Sequence, residues 1–490
     1  MSVHPDVASL SSRAISARSG AATVSPQSPF LFRSASAAQA SSLLADLVAD
    51  GRFALDARAL AARVLLRPPT HPGETPYAGI VADRVHRPDA DKWPVPRAAT
   101  PAEAAVAVRE ALVRAVDRAL QGVKRVAVMT GGGVDSSALL ALAVERARRV
   151  GGSAFGVALD FEGPGDDRPH RSALARYLGC EILCVRPEDA AHRFGLLWSG
   201  VDGVPLTWPG GPMEIEMLAR ARAHGADCAL MGVGADELFD GEPRALADLV
   251  RGGDVAGALS SARALRGFAE TRRPALRWLA RPLLASLIPL AIRRRRALRT
   301  ADVIPEWAGP RLRQYARGWR VQEIERSLNG LRTPRERFER FDASPSHEHL
   351  AWLRHQEQVA SGLERRDPYL DRDLVRIVTA LPPAWLLHGD TRRGLFREAV
   401  RGLIPESIRL REDKASFEPA FARFVEASGG FGAFRDVARV PELAALGLVT
   451  PAPFHRAFEA FCARPEDGWS DVWPALTVES FLETRADRRA

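Results

Sequence analysis

Two short stretches of this chain carry residue types that could do chemistry together. The first is TGGGVDSS, Thr130 to Ser137. Gly131, Gly132 and Gly133 allow positive φ and let the backbone approach a ligand closely. Successive N–H groups in such a turn form an anion-binding concavity. Asp135, Ser136 and Ser137 follow where a helical pattern begins, and unpaired N–H groups and the dipole favour an anion there. The two hydroxyls can donate to phosphate oxygens. Asp135 can hold a divalent cation that neutralises them. The second stretch is GVGADELFDG, Gly232 to Gly241. Gly232 and Gly234 again permit close approach, and Asp236 would face Asp135 across the strand ends. Two carboxylates brought together make sense around Mg²⁺ and little sense without a cation.

The flanking segments are expected to position these loops. KRVAVMT reads as a buried strand, and DSSALLALAVERARRVG as a helix closed by glycine. SAFGVALDF, CEILCVR and the start of ADCALMGVGADELFDG read as three more strands. AEAAVAVREALVRAVDRAL, DDRPHRSALARYLG and MEIEMLARARAHG read as helices. Such alternation predicts an α/β fold, a parallel sheet with helices on both faces. Ligands in these sheets sit at the carboxyl ends of the strands, where both glycine loops fall. From about Pro243 onward the pattern is mostly helical. Before Pro101 it is weaker. Leu43–Leu66 reads as two short helices, and the proline-rich stretch after it as a linker or an edge strand.

The first loop alone leaves several readings open. A Walker A loop needs GxxxxGK[ST], and no lysine follows these glycines. A dinucleotide loop needs GxGxxG. Ser136 takes its third glycine position, but Asp160 at the end of the second strand keeps that reading alive. The third reading is the SGGxDS pyrophosphatase loop, which grips the β,γ-phosphates of ATP. The plainest is a glycine turn with Asp135 as a helix cap.

Two glycine loops in this order, followed by GLERRDPYLDRDLVRIVTALP and RRGLFREAVRGLIPESIRLREDKASFEP, resemble the asparagine synthetase superfamily. That group includes asparagine synthetases, β-lactam synthetases and lasso peptide macrolactam cyclases. The resemblance runs from about Pro101 to the end, roughly four fifths of the chain. It implies an adenine nucleotide alpha hydrolase-like fold, a unit over 101–490, and a degenerate glutaminase-like remnant with linker over 1–100. It also implies ATP and Mg²⁺: a carboxylate attacks the α-phosphate, pyrophosphate leaves, and an amine displaces AMP. On that resemblance, the glycines with Ser136 and Ser137 hold pyrophosphate, and Asp135 and Asp236 ligate magnesium. Glu364 matches an acid near the reacting amine, and Lys414 a lysine that steadies charge on the adenylate. A lost donor at such a position costs ~3 kcal/mol of transition-state stabilisation. The plain alternatives are a salt bridge from Glu364 to Arg365 or Arg366, and a solvated loop lysine at 414.

The departures narrow the activity. Gly131 stands where the family has serine, so one hydroxyl is lost, and Thr130 offers a partial replacement. Val233 stands where asparagine synthetases carry an acid and β-lactam synthetases a tyrosine, and valine cannot shuttle a proton. The chain begins Met1-Ser2, without the cysteine nucleophile of a glutaminase, and its first cysteine is Cys180. The amine is therefore expected from elsewhere, as in lasso peptide cyclases, which close an Asp or Glu side chain onto a precursor peptide's own N-terminus. VIPEWAGPRLRQ (Val303–Gln314) resembles a proline–tryptophan element of that branch, though a tryptophan in plain core fits equally. The alternatives are an asparagine synthetase-like enzyme using free ammonia and a nucleotide-binding homologue without catalysis.

Bulk composition sets outer bounds. The 490 residues carry a net charge of +8, with 46% hydrophobic and 26% charged residues, as expected for a globular protein of two or more domains. The four cysteines read as buried free thiols rather than a zinc site, and fit a reducing cytoplasm. The longest apolar run, Pro282–Ile292, is about half the ~20 residues a membrane span needs. From Thr271 to Ala301 there are nine arginines and no acid. That stretch reads as a solvated basic face. It could also dock an acidic precursor peptide or its carrier protein, or an anionic membrane; a partner protease or peptide-recognition protein is a further candidate partner of the chain. Nucleic acid is not expected, because no zinc cysteines or RNA module accompany the loop.

Overall fold

The computed structural model of the protein describes residues 30–34, 40–49, 53–67, 73–84, 98, 100–163, 166–240, 246, 249–250, 253–259, 262, 288–299, 304–328, 334–342, 345–386, 393–413, 416–464 and 469–487. Strands β1 (Phe30–Ser34), β2 (Ala40–Ser41) and β3 (Ile80–Arg84) form an antiparallel sheet in the order β2-β1-β3. The weakly patterned N-terminal stretch therefore contributes β1, a strand the sequence did not announce. Two short helices, Leu44–Val48 and Ala57–Val64, follow as expected, and β3 is the edge strand within the proline-rich stretch. Leu60, Ala61, Ala62 and Val64 pack in one cluster with Phe421 and Trp473 near the C-terminus.

The second sheet is parallel throughout. β4 (Arg125–Met129), β5 (Ser153–Leu159), β6 (Ile182–Val185), β7 (Cys228–Leu230) and β8 (Glu364–Arg366) lie in the order β6-β5-β4-β7-β8. Side-chain alternation gives each face its own core. Val126 and Val128 face the helices Pro101–Ala119, Val134–Arg149 and Arg168–Leu178. Ala127 and Met129 pack with Met217, Leu218 and Ala221 of helix Gly211–Ala223. Local signals fit these boundaries: Thr100 Oγ1 accepts from the Glu103 N–H at 3.3 Å, and Gly179 ends its helix in the left-handed region. The C-terminal part is mostly helical, closing with Trp469–Asp487.

β8 is the strand that pattern reading missed. It holds Glu364, Arg365 and Arg366, with no apolar run to mark it. Arg365 is nonetheless buried, because Glu357 accepts from it at 2.5 Å and Asp367 at 3.0 Å. The other expectations need smaller corrections. Trp307 of the proline–tryptophan element is 3% exposed and sits edge-on to Phe454, which is core packing. Cys184 is exposed rather than buried. Most of the basic stretch lies outside the described residues; within it, Leu290–Arg299 is a helix on which Arg294, Arg295, Arg296 and Arg299 are exposed.

Candidate active site

Strand order reverses between β4 and β7, so their carboxyl ends form the switch-point crevice of this sheet class. Both glycine loops open there. Gly132 has φ +95° and Gly234 φ +90°, conformations that strain any residue with a Cβ. A Cβ on Gly234 would also strike Leu370 Cδ2. The loops touch: a Cβ on Gly232 would lie 3.6 Å from the Ser136 nitrogen and 3.7 Å from Asp135 Cβ. Helix Val134–Arg149 starts directly after Gly133, which places Asp135 in its first turn. Thr130 is buried and donates to Ser136 Oγ at 3.3 Å. Ser137 Oγ is buried without a hydrogen-bond partner among the described residues.

Asp135 and Asp236 are brought together, as their loops implied, and a residue the sequence did not single out joins them. Arg393 donates from Nη1 to Asp135 Oδ2 at 2.5 Å and from Nε to Asp240 Oδ1 at 2.7 Å, and pairs through Nη2 with Asp236 Oδ1. Burial pulls its pKa down, but the three carboxylates outweigh that and hold it above the ordinary value. Arg393 itself has φ +58° at the entry to helix Gly394–Ala399. Tyr369 is a second unannounced member. Its hydroxyl donates to the Asp135 carbonyl at 2.9 Å, and burial, reinforced by Asp135, pushes its pKa well up.

Gly131 has a partner as well. A Cβ there would meet Asp167 Oδ2 at 2.7 Å. Arg411 donates from Nη1 to Asp167 Oδ1 at 2.6 Å and to the Gly132 carbonyl at 3.4 Å. Burial lifts the pKa of Asp167 against the pull of Arg411. Asp160, which kept a dinucleotide reading open, is instead tied to the buried Arg171.

The remaining expected residues lie differently. β8 pairs Glu364 with Cys228 and Arg366 with Leu230, so Arg366 rather than Glu364 sits at the loop end of the strand. Glu364 accepts from Arg366 at 2.7 Å, the salt bridge held open as its plain alternative. Arg366 also donates to the Ala119 carbonyl at 2.5 Å. Lys414 lies outside the described residues; Arg411 and Asp413 just before it are bonded to each other at 3.0 Å. Val233 is half-buried between its two glycines.

The donor set suits the expected ligands. Mg²⁺ is usually held by one or two carboxylates together with substrate phosphates. Asp135 and Asp236 supply two convergent carboxylates beside a glycine turn, a helix start and an unsatisfied hydroxyl. Among the described residues no group of three or more His, Cys, Asp or Glu is placed to hold a metal.

Residues 107–483 match the family model for asparagine synthase, more than three quarters of the chain. The chain therefore belongs to the asparagine synthetase superfamily, whose members are ATP-dependent amide-bond-forming ligases. No curated protein matches it. Among the described residues, no helix is long and apolar enough to cross a membrane.

Proposed function

We propose that this ligase, a unit over 101–490, adenylates a carboxylate with release of pyrophosphate and acts as a macrolactam cyclase of the lasso type on a precursor peptide. Val233 carries this reading. It is an apolar residue in the loop where relatives place a proton-shuttling acid or tyrosine. An enzyme without that group gains most from an amine delivered by the substrate itself. A tethered, oriented amine has an effective molarity of roughly 10⁵–10⁸ M, which offsets a weak base.

In this reading, Gly131–Gly133, Ser136, Ser137, Gly232 and Gly234 cradle the phosphates, with Asp135 and Asp236 as the metal carboxylates. Bound Mg²⁺ would neutralise phosphate charge as pyrophosphate leaves. Arg411 and Asp413 anchor the approach to Lys414, which steadies charge on the adenylate. Glu364 serves near the reacting amine only by exchanging Arg366 for the substrate. The exposed arginines of Leu290–Arg299 suit an acidic precursor peptide, a partner protease or a recognition protein, in the cytoplasm. ATP–pyrophosphate exchange tests the proposal. Exchange driven by a peptide carrying a free N-terminus and an internal Asp or Glu is expected. Exchange driven by aspartate alone would replace it with the asparagine synthetase-like reading. Tight ATP binding with no exchange for any carboxylate would leave a nucleotide-binding homologue, which Gly131 and the Arg393 clamp favour as second reading.

A further inference from the structure

Each of the two carboxylates that would hold a divalent cation already gives one oxygen, Asp135 Oδ2 and Asp236 Oδ1, to an arm of the same guanidinium. Its third donor is fixed on Asp240. The Arg393 side chain is 12% exposed and that of Asp236 44%, so the clamp is held from the protein side and reached from the solvent side. Arginine suits this place better than lysine would, because its planar fork spans separate carboxylates and stays charged. Resting on the metal assignment above, we propose that Arg393 is a positioning residue that holds the two metal carboxylates together around its own guanidinium. It thereby makes entry of the divalent cation conditional on the nucleotide.

The argument is electrostatic. A cation approaching alone must compete with two charge-assisted hydrogen bonds and an ion pair, and is repelled by the fixed guanidinium. A triphosphate reverses both terms. It adds oxygen ligands for the metal, and it brings enough negative charge for both cations to share one site. Cation and nucleotide then bind with positive coupling, and Arg393 sets its size.

The test is Mn²⁺ binding to the full chain, followed by electron paramagnetic resonance with and without a non-hydrolysable α,β-methylene ATP analogue. Wild type should bind Mn²⁺ weakly alone and tightly with the analogue. Arg393→Met should tighten nucleotide-free binding and shrink the difference, within the ~5–150-fold span of ordinary coupling. Arg393→Lys keeps the charge but loses the fork, and should give a smaller gain in the same direction. Melting curves identify a variant that fails to fold, in which case the lysine variant decides. Nucleotide-free affinity that stays at the wild-type value in folded variants overturns the role of Arg393. An Asp236→Asn protein that binds Mn²⁺ with the analogue as wild type does would instead overturn the metal assignment beneath it.

Discussion

The carboxylate of Asp167 stands where a side chain at position 131 would have to go, with Oδ2 only 2.7 Å from a Cβ built on Gly131. The missing serine hydroxyl is therefore part of a local exchange. A glycine at 131 admits an Asp167–Arg411 pair, and that pair reaches the Gly132 carbonyl and braces the loop.

Restoring the family's serine should consequently fail on its own. Gly131→Ser is expected to lower both stability and ATP–pyrophosphate exchange, because Asp167 is half-buried and held by the buried Arg411. Gly131→Ser combined with Asp167→Ala should lose less than the two single changes summed. A coupling of ~0.5–3 kcal/mol in urea denaturation is the expected signature for residues in contact. Additive losses would show that the two positions do not share the space.

The strand behind the site makes a second demand. Arg365 is fully buried between Glu357 and Asp367, and burial pushes Glu357 well above the usual carboxylate range despite Arg365 beside it. Arg365→Met leaves two buried acids without their shared cation. Removing one partner from such a network costs roughly 3–5 kcal/mol. A folded variant within about 1 kcal/mol of wild type in chemical denaturation would show that water enters behind β8.

How much of this could be read from the chain alone follows from sequence distance. β4 was legible in KRVAVMT as a buried strand, because an apolar run is a local property. So were the glycine loops, since their residue types are set by the backbone at those positions. Arg393 is 258 residues from Asp135, and Arg411 is 244 from Asp167. In a chain rich in exposed arginine, nothing local marks the two that fold back onto the loops. β8 was hidden for a related reason: its strand is stabilised by charges paired in three dimensions, not by an apolar run.

The last helix supplies a pH dependence. Glu479 accepts from the Glu442 and Leu443 N–H groups, each at 2.8 Å, and caps helix Pro441–Ala445. Burial nonetheless pushes its pKa up to about 7, outweighing those two donors. An acid with a raised folded-state pKa binds its proton more tightly when folded. Its contribution therefore falls as pH rises between its ordinary value of 4.5 and about 7, by at most ~1.4 kcal/mol per pH unit. Glu479→Gln should flatten the loss of stability between those pH values in urea titrations. An unchanged slope would place the titration elsewhere.

The two half-reactions separate the metal carboxylate from the acid of β8. Asp236 lies in the loop that meets Ser136 and Asp135, so Asp236→Ala should abolish ATP–pyrophosphate exchange. Glu364 lies one strand over, level with Cys228 and bonded to Arg366. If its carboxylate serves the amine, Glu364→Gln should spare exchange and slow amide formation by ~10²–10⁴-fold, the scale of a lost general base. Arg366→Met gives the contrast. It frees Glu364 while leaving the Ala119 carbonyl without its donor, so it should cost stability first and shift the pH profile of amide formation second. Equal loss of both half-reactions in Glu364→Gln would assign that residue to holding Arg366 and the end of β8, not to the chemistry.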